Sequence, residues 1–332
     1  MVRSAIRVPG GDAVHHVYAV AGPDVVVIDV ENASPAPFVL ALVVRGAERL
    51  TLNDGAVTID GDRVLVTTRG PSRWAASRDG TTEAAVTSGA AGDAPLASLR
   101  DRRRHLEAAF LYPVAHRSAI RFALHLNSDL CDARSIARLA DPGDAARGWA
   151  AHLDRGMRAD LPDPALTVAL RSALAATLLA GARRPVAPET VAALEDWGFD
   201  TEAAAAWTTL GWRDRRVAAH RTVTPATWAD VTAASSDAEL LIGLRALLAH
   251  EAGDGTVTLL ADLPAAWRGQ SLDVRDVPTR AGLVSYAVRW HGPRPALLWE
   301  APSGVPLRAP GLDPGWATHD PSGEALLAAD VA

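Results

Sequence analysis

Residues 259–300 read LLADLPAAWRGQSLDVRDVPTRAGLVSYAVRWHGPRPALLWE. From Leu283 to Trp290 the apolar side chains alternate. Val284, Tyr286, Val288 and Trp290 fall on one face, and Ser285 and Arg289 on the other. A period of two is the signature of a half-buried strand. Gly292-Pro293 then turns the chain into Ala296-Leu297-Leu298-Trp299-Glu300, which predicts a second strand. Thr256 to Leu260 and Ser271 to Val277 read as two more. The tail beyond Pro310 is rich in turn residues, with Asp313-Pro314-Gly315 and Asp320-Pro321-Ser322-Gly323. Residues 253–332 are therefore expected to form a small C-terminal β-sandwich.

Upstream, the period changes. Asp163-Pro164 sets a capping carboxylate before a proline, the expected start of a helix. Leu166, Leu170, Leu174 and Leu178 follow at intervals of four, and Gly181 can end the run. Ala187-Pro188 opens a shorter helix that Gly198 closes. Thr201 is expected to cap a longer one running through Trp207 towards Arg216, and Thr224-Pro225 to open another. Ser236 followed by Glu239 is a capping-box pattern, with Leu240, Leu244, Leu247 and Leu248 as the apolar face behind it. If residues 134–158 count as one helix, residues 129–252 hold about six.

The first third is strand-like. Val25 to Ile28 and Phe38 to Val44 are apolar runs rich in β-branched side chains. Two strand-like runs flank Gly61-Asp62, a hairpin signal, and Asn53-Asp54-Gly55 and Asp79-Gly80 offer further turns. Residues 92–104, with Arg102-Arg103-Arg104, read as a polar connection. Leu106 to Leu126 reads as two strands, because Pro113 would break a helix. The expected fold is α+β: an N-terminal β-sandwich at 1–128, a short helical segment at 129–252 and the C-terminal β domain at 253–332.

Composition excludes several chemistries. A net charge of -6 argues against nucleic acid as the main partner. All 33 basic residues are Arg, so neither a phosphate loop with its lysine nor a lysine Schiff base is available. Cys131 is alone, which rules out an internal disulfide or a cysteine zinc site within one chain. There is no G-x-S-x-G nucleophile motif and no HExxH, and His250-Glu251 lacks a second histidine at zinc spacing. His15-His16 would point to opposite faces of a strand. Neither cofactor nor metal is expected. The opening residues carry no apolar leader core, and no uninterrupted apolar run approaches the ~18 residues of a membrane span. The expected setting is cytoplasmic.

In its order of parts, and in residues 259–300 in particular, the chain resembles glycoside hydrolases built on an (α/α)6 toroid, the group of glycogen-debranching, rhamnosidase and trehalose-processing enzymes. The resemblance lies in a final helix at 237–250, then Trp267, then Thr279 and Gly282 leading into a small β-sandwich. It implies a carbohydrate ligand and an N-terminal β-sandwich. The chain departs from the pattern in its middle. A toroid of about twelve helices at roughly 12 residues each needs more than about 200 residues, and only about 120 separate the two β segments. None of that group's catalytic carboxylate motifs matches here.

Glycoside hydrolysis needs two facing carboxylates, one protonated and one ionised. Glu195-Asp196-Trp197 sets two acids beside an indole, although neighbours on a helix diverge, so at most one acid can face a ligand. The same pair reads equally as charge at a helix end. Ten Trp stand against four Phe and three Tyr. Trp197, Trp207 and Trp212 crowd the helical segment and are candidates for sugar stacking, while Trp74, Trp267 and Trp290 read as core. Arg289-Trp290-His291 has the makings of a grip on a polar ligand, or of an Arg packed on a Trp. Glu300 should point away from the side that holds Trp299. The sequence thus favours a glycoside-hydrolase-like protein, reduced or non-catalytic, that binds carbohydrate. The alternatives are an active minimal glycosidase using carboxylates of the helical segment, and an interaction scaffold or homodimer.

Overall fold

The computed structural model describes residues 1–20, 25–53, 56–93, 98–125, 133–219 and 224–328. Cys131 and two residues of the Asn53-Asp54-Gly55 turn lie outside them. The fold is α+β, and it divides into two compact units, Met1–Gly148 and Trp149–Ala332. The sequence places divisions near 128 and 252. The contacts divide the chain once, because the helices after 149 and the strands after 249 bury their apolar faces in one shared core.

In the first unit the strands are β1 (Val2–Val8), β2 (Gly11–Val20), β3 (Val25–Asn32), β4 (Phe38–Ala47), β5 (Arg49–Asn53), β6 (Ala56–Ile59), β7 (Arg63–Thr67) and β8 (Arg73–Ser77). After a short helix α1 (Thr82–Thr87) come β9 (Ser98–Arg100), β10 (Leu106–Val114) and β11 (Ala119–His125). An eight-stranded sheet runs β1-β2-β3-β11-β7-β6-β5-β9, and a three-stranded sheet runs β4-β10-β8. The two share a core that includes Leu50, Val57 and Phe122 from the first and Leu106, Phe110 and Tyr112 from the second. Tyr112 meets Phe122 edge-on across the layers, with ring centroids 4.9 Å apart, an arrangement the ring quadrupoles favour. The expected hairpin at Gly61 forms, with Val57 opposite Leu65.

The helices α2 (Ala133–Ile136) and α3 (Pro142–Leu153) replace the single helix expected at 134–158. The turn between them is held by a polar network on the outer face of the large sheet. Arg121 donates to both Asp29 carboxylate oxygens, at 2.7 and 2.9 Å, and to the Leu139 carbonyl at 3.0 Å. The Tyr18 hydroxyl donates to Asp29 and lies 2.9 Å from the Ala140 carbonyl. Burial and Asp29 push the Tyr18 hydroxyl well above the ordinary phenol range.

The second unit begins within α3 and continues with β12 (Arg158–Asp160), α4 (Pro164–Gly181), α5 (Pro188–Asp196), α6 (Asp200–Trp207), α7 (Trp212–Ala219), α8 (Trp228–Thr232) and α9 (Asp237–Leu248). Asp163 caps α4 as expected, accepting from the Ala165 and Leu166 amides at 2.8 and 3.1 Å. Among the described helices α4 is the one long and apolar enough to span a membrane by composition. Its Leu170, Ala173, Leu174 and Leu178 stripe lies in the unit's core instead. The helix expected from Thr201 to Arg216 is two helices, broken at Thr208–Gly211, and Thr201 does not cap it. Nor does Thr224-Pro225 open α8. Thr227 does, in a capping box with Asp230, three residues further on. Ser236 caps α9, while the Glu239 carboxylate reaches past it to Ser235.

The remaining strands are β13 (Ala249–Glu251), β14 (Val257–Leu259), β15 (Leu272–Thr279), β16 (Gly282–His291), β17 (Arg294–Glu300), β18 (Leu307–Ala309), β19 (Asp313–Thr318) and β20 (Ser322–Leu326). They form a five-stranded sheet, β12-β15-β16-β17-β20, and a four-stranded sheet, β13-β14-β18-β19. Helices and strands are tied by buried polar groups. The Tyr286 hydroxyl donates to the Leu248 carbonyl at 2.7 Å. Arg245, itself buried, donates to the backbone carbonyls of Asp196, Pro278 and Ala249. A buried guanidinium is tolerable only with such acceptors. Gly156 lies against the end of α5, where a Cβ would come within 2.3 Å of the Trp197 carbonyl.

Candidate functional site

The structure separates the three tryptophans that crowd the helical segment. Trp197 is 0% exposed, and its indole nitrogen donates to the Leu241 carbonyl at 2.9 Å. It belongs to the core, so the expectation that it stacks on a ligand is corrected. Trp207 is half-buried and donates to the Glu195 carboxylate. Trp212 is 67% exposed, with the Arg213 guanidinium 5.3 Å from its ring centre. Glu195 is thus engaged by an indole on the surface, and Asp196 is half-buried, with its backbone carbonyl held by Arg245.

The feature with the makings of a site is the outward face of the five-stranded sheet. Its register follows from the alternation that buries Leu272, Val274, Val284, Tyr286, Val288 and Leu297 and leaves the intervening side chains outside. Asp160 stands opposite Asp273, Asp273 opposite Ala287, Ala287 opposite Leu298, and Leu298 opposite Glu324. The neighbouring row is Arg158 opposite Arg275 on one side and Ser285, Glu300 and Ser322 on the other. A bulge between Val274 and Val277 brings Asp276 into that row, at a φ of 58°. Its amide donates to the Ser285 hydroxyl at 3.0 Å.

Two adjoining hollows of about 470 and 530 Å³ lie along these rows and share Arg158, Asp273 and Arg275. Ala287 and Leu298 supply an apolar floor, and charged groups supply the rim. The rim is ordered by ion pairs. Arg275 meets Asp273 at 2.7 Å, Arg289 meets the same carboxylate at 3.5 Å, and Arg158 pairs with Asp276. The hydrogen bond from Arg275, joined by the charge of Arg289, holds the Asp273 carboxyl below the usual carboxylate range. Glu300 is exposed beside this network, and its carboxylate has no hydrogen bond or ion pair among the described residues.

Of the residues singled out from sequence, Arg289 and Glu300 line this face. Trp290 points inward, its indole donating to the Gln270 carbonyl at 2.9 Å. Asp160, Asp273, Asp276 and Arg158 were not singled out. The signal open to sequence reading was the charge alternation Asp273-Val274-Arg275 on a strand, which marks an outward charged row. Among the described residues no cluster of three His, Cys, Asp or Glu side chains is placed to hold a metal ion.

No family model matches the chain, and no curated protein matches it. Among solved structures, a bacterial glucoamylase complexed with acarbose is loosely similar. The TM-score is 0.40 and the identity 8%, over 59% of this chain and 37% of that one. The chain thus spans a little over a third of that protein's length.

Proposed function

We propose that the chain binds carbohydrate on the outward face of the five-stranded sheet and holds it without cleaving it. The observation that carries this reading is the groove itself: a floor of Ala287 and Leu298 between carboxylates and guanidiniums fixed by mutual pairing. A sugar presents an apolar C–H face ringed by hydroxyls that both donate and accept. Arg158, Arg275 and Arg289 can donate to such hydroxyls, and Glu300 and Asp160 can accept from them. Hydrogen bonds to charged groups are the stronger kind. A volume of about 530 Å³ suits a small ligand.

Cleavage would require one carboxyl to hold a proton at working pH. Asp273 is held ionised by its guanidiniums, and Asp276 is engaged by Arg158. Asp273 therefore serves as an acceptor. A cytoplasmic setting fits a chain whose single cysteine makes no internal bridge.

The test is calorimetric titration of the full chain against α-glucan oligosaccharides, trehalose and rhamnosides, with reducing-sugar release followed in parallel. Saturable binding without release is the expected result. Absence of binding at millimolar ligand overturns the reading. Release that disappears in Glu195→Gln or Asp196→Asn would move the activity to the helical segment and overturn it as well.

A further inference from the structure

Among the described residues strand β4 ends its sheet, pairing with β10 and no other strand. It runs ten residues, and its segment from Phe38 to Val44 carries no charge and no proline. Soluble proteins ordinarily shield such an edge with short strands, lysines, prolines or bulges. Here Val39 is 59% and Val43 43% exposed. Phe38, Leu40, Leu42 and Val44, which face the core, are themselves only half-buried.

The hydrogen-bonding side of the strand can be assigned. The Leu111 carbonyl accepts from the Ser72 amide at 2.8 Å, and the Pro113 carbonyl accepts from Arg69. Both therefore point away from β4, so Phe110, Tyr112 and Val114 point towards it. Their partners Leu42, Leu40 and Phe38 satisfy β10. The amides and carbonyls of Val39, Ala41 and Val43 are left facing the open edge.

The geometry points to a second copy of this chain as the occupant, paired antiparallel through β4 about a two-fold axis at Ala41. In that register Val39 faces Val43 of the other copy, Leu40 faces Leu42, and Phe38 faces Val44. Every pair is apolar, and aromatic or β-branched pairs of this kind favour sheet pairing. No like charges meet. Arg45 falls opposite Pro37, which has no amide to donate, so the ladder stops there. Arg45 is already neutralised by Glu107 at 2.8 Å. The two three-stranded sheets become one of six strands, and an isologous contact closes without leaving a further edge at β4. This rests on the first unit and is independent of the ligand assigned to the second.

Sedimentation velocity of the full chain tests it, using three proteins. At a protomer concentration of about 0.1 mM the unmodified chain should sediment as a dimer. Val39→Glu with Val43→Glu sets like charges opposite each other twice and should give a monomer. Val39→Glu with Val43→Lys sets opposite charges at both crossings and should restore the dimer. Circular dichroism shows whether each variant is folded, and these side chains point outward, away from the core. A monomeric unmodified chain overturns the proposal. So does a double-Glu variant that stays dimeric. A Glu–Lys variant as monomeric as the double-Glu one overturns the register.

Discussion

The Trp197 indole nitrogen donates to the Leu241 carbonyl at 2.9 Å, joining the end of α5 to the middle of α9 inside the second unit. This bond makes Trp197 a keystone of packing. Trp197→Ala removes the largest fully buried side chain among the described residues and should cost about 3–5 kcal/mol. Trp197→Phe keeps most of the apolar area but leaves the Leu241 carbonyl without this donor, which should cost about 1–3 kcal/mol. Denaturant unfolding of the two variants checks the order.

Asp163 satisfies two amides at the start of α4. Asp163→Ala should lower stability by about 1 kcal/mol, and Asp163→Ser or Asp163→Asn should cost less. The midpoint of urea unfolding reads this directly.

His125 is 1% exposed, and neither ring nitrogen has a partner among the described residues. Burial lowers its pKa, so the folded state disfavours the charged ring. The unfolded chain then binds more protons below its own histidine value of about 6.5. Stability from this site is complete above that pH and is lost as pH falls through the folded value. His125→Leu should flatten the slope of stability against pH below about 6.5. An unchanged slope would assign the dependence elsewhere.

Asp273 works in the opposite range. Its pKa is lowered by Arg275 and Arg289, so its contribution is complete above the unfolded value of about 3.9 and is lost as pH falls further. Asp273→Asn should reduce stability at neutral pH and flatten the acid limb of the unfolding curve. The effect is small, because Arg275 and Arg289 are exposed and such pairs are worth about 0–1 kcal/mol.

Local chemistry made much of the fold legible. The Val284, Tyr286, Val288 alternation is a strand with those side chains buried, and Asp163-Pro164 caps the helix it was expected to cap. The misread boundaries at Thr201 and Thr224 have a physical cause. Near α8 Thr222, Thr224 and Thr227 lie close together in sequence and packing makes Thr227 the cap, whereas α6 starts one residue ahead of Thr201, after Phe199, with no side-chain cap. The groove was less legible. Arg158 and Asp160 lie on a three-residue strand, too short to show a period, and it joins a sheet whose other members come after all the helices. Glu300 could be read as outward-facing, but what stands beside it could not, because cross-strand neighbours depend on a long-range register. The tryptophans misled because crowding along the chain does not distinguish a buried Trp197 from an exposed Trp212.

The most direct test of carbohydrate binding on the five-stranded sheet is titration of α-glucan oligosaccharides into the unmodified chain and into Glu300→Gln. Glu300 is exposed at the groove and makes no ion pair among the described residues, so the fold should survive the change. Saturable binding is predicted for the unmodified chain. The variant should bind about tenfold more weakly, the effect of losing about 1.5 kcal/mol from one charged hydrogen bond. No saturable binding at millimolar ligand, or equal affinity in the two proteins, would contradict the account.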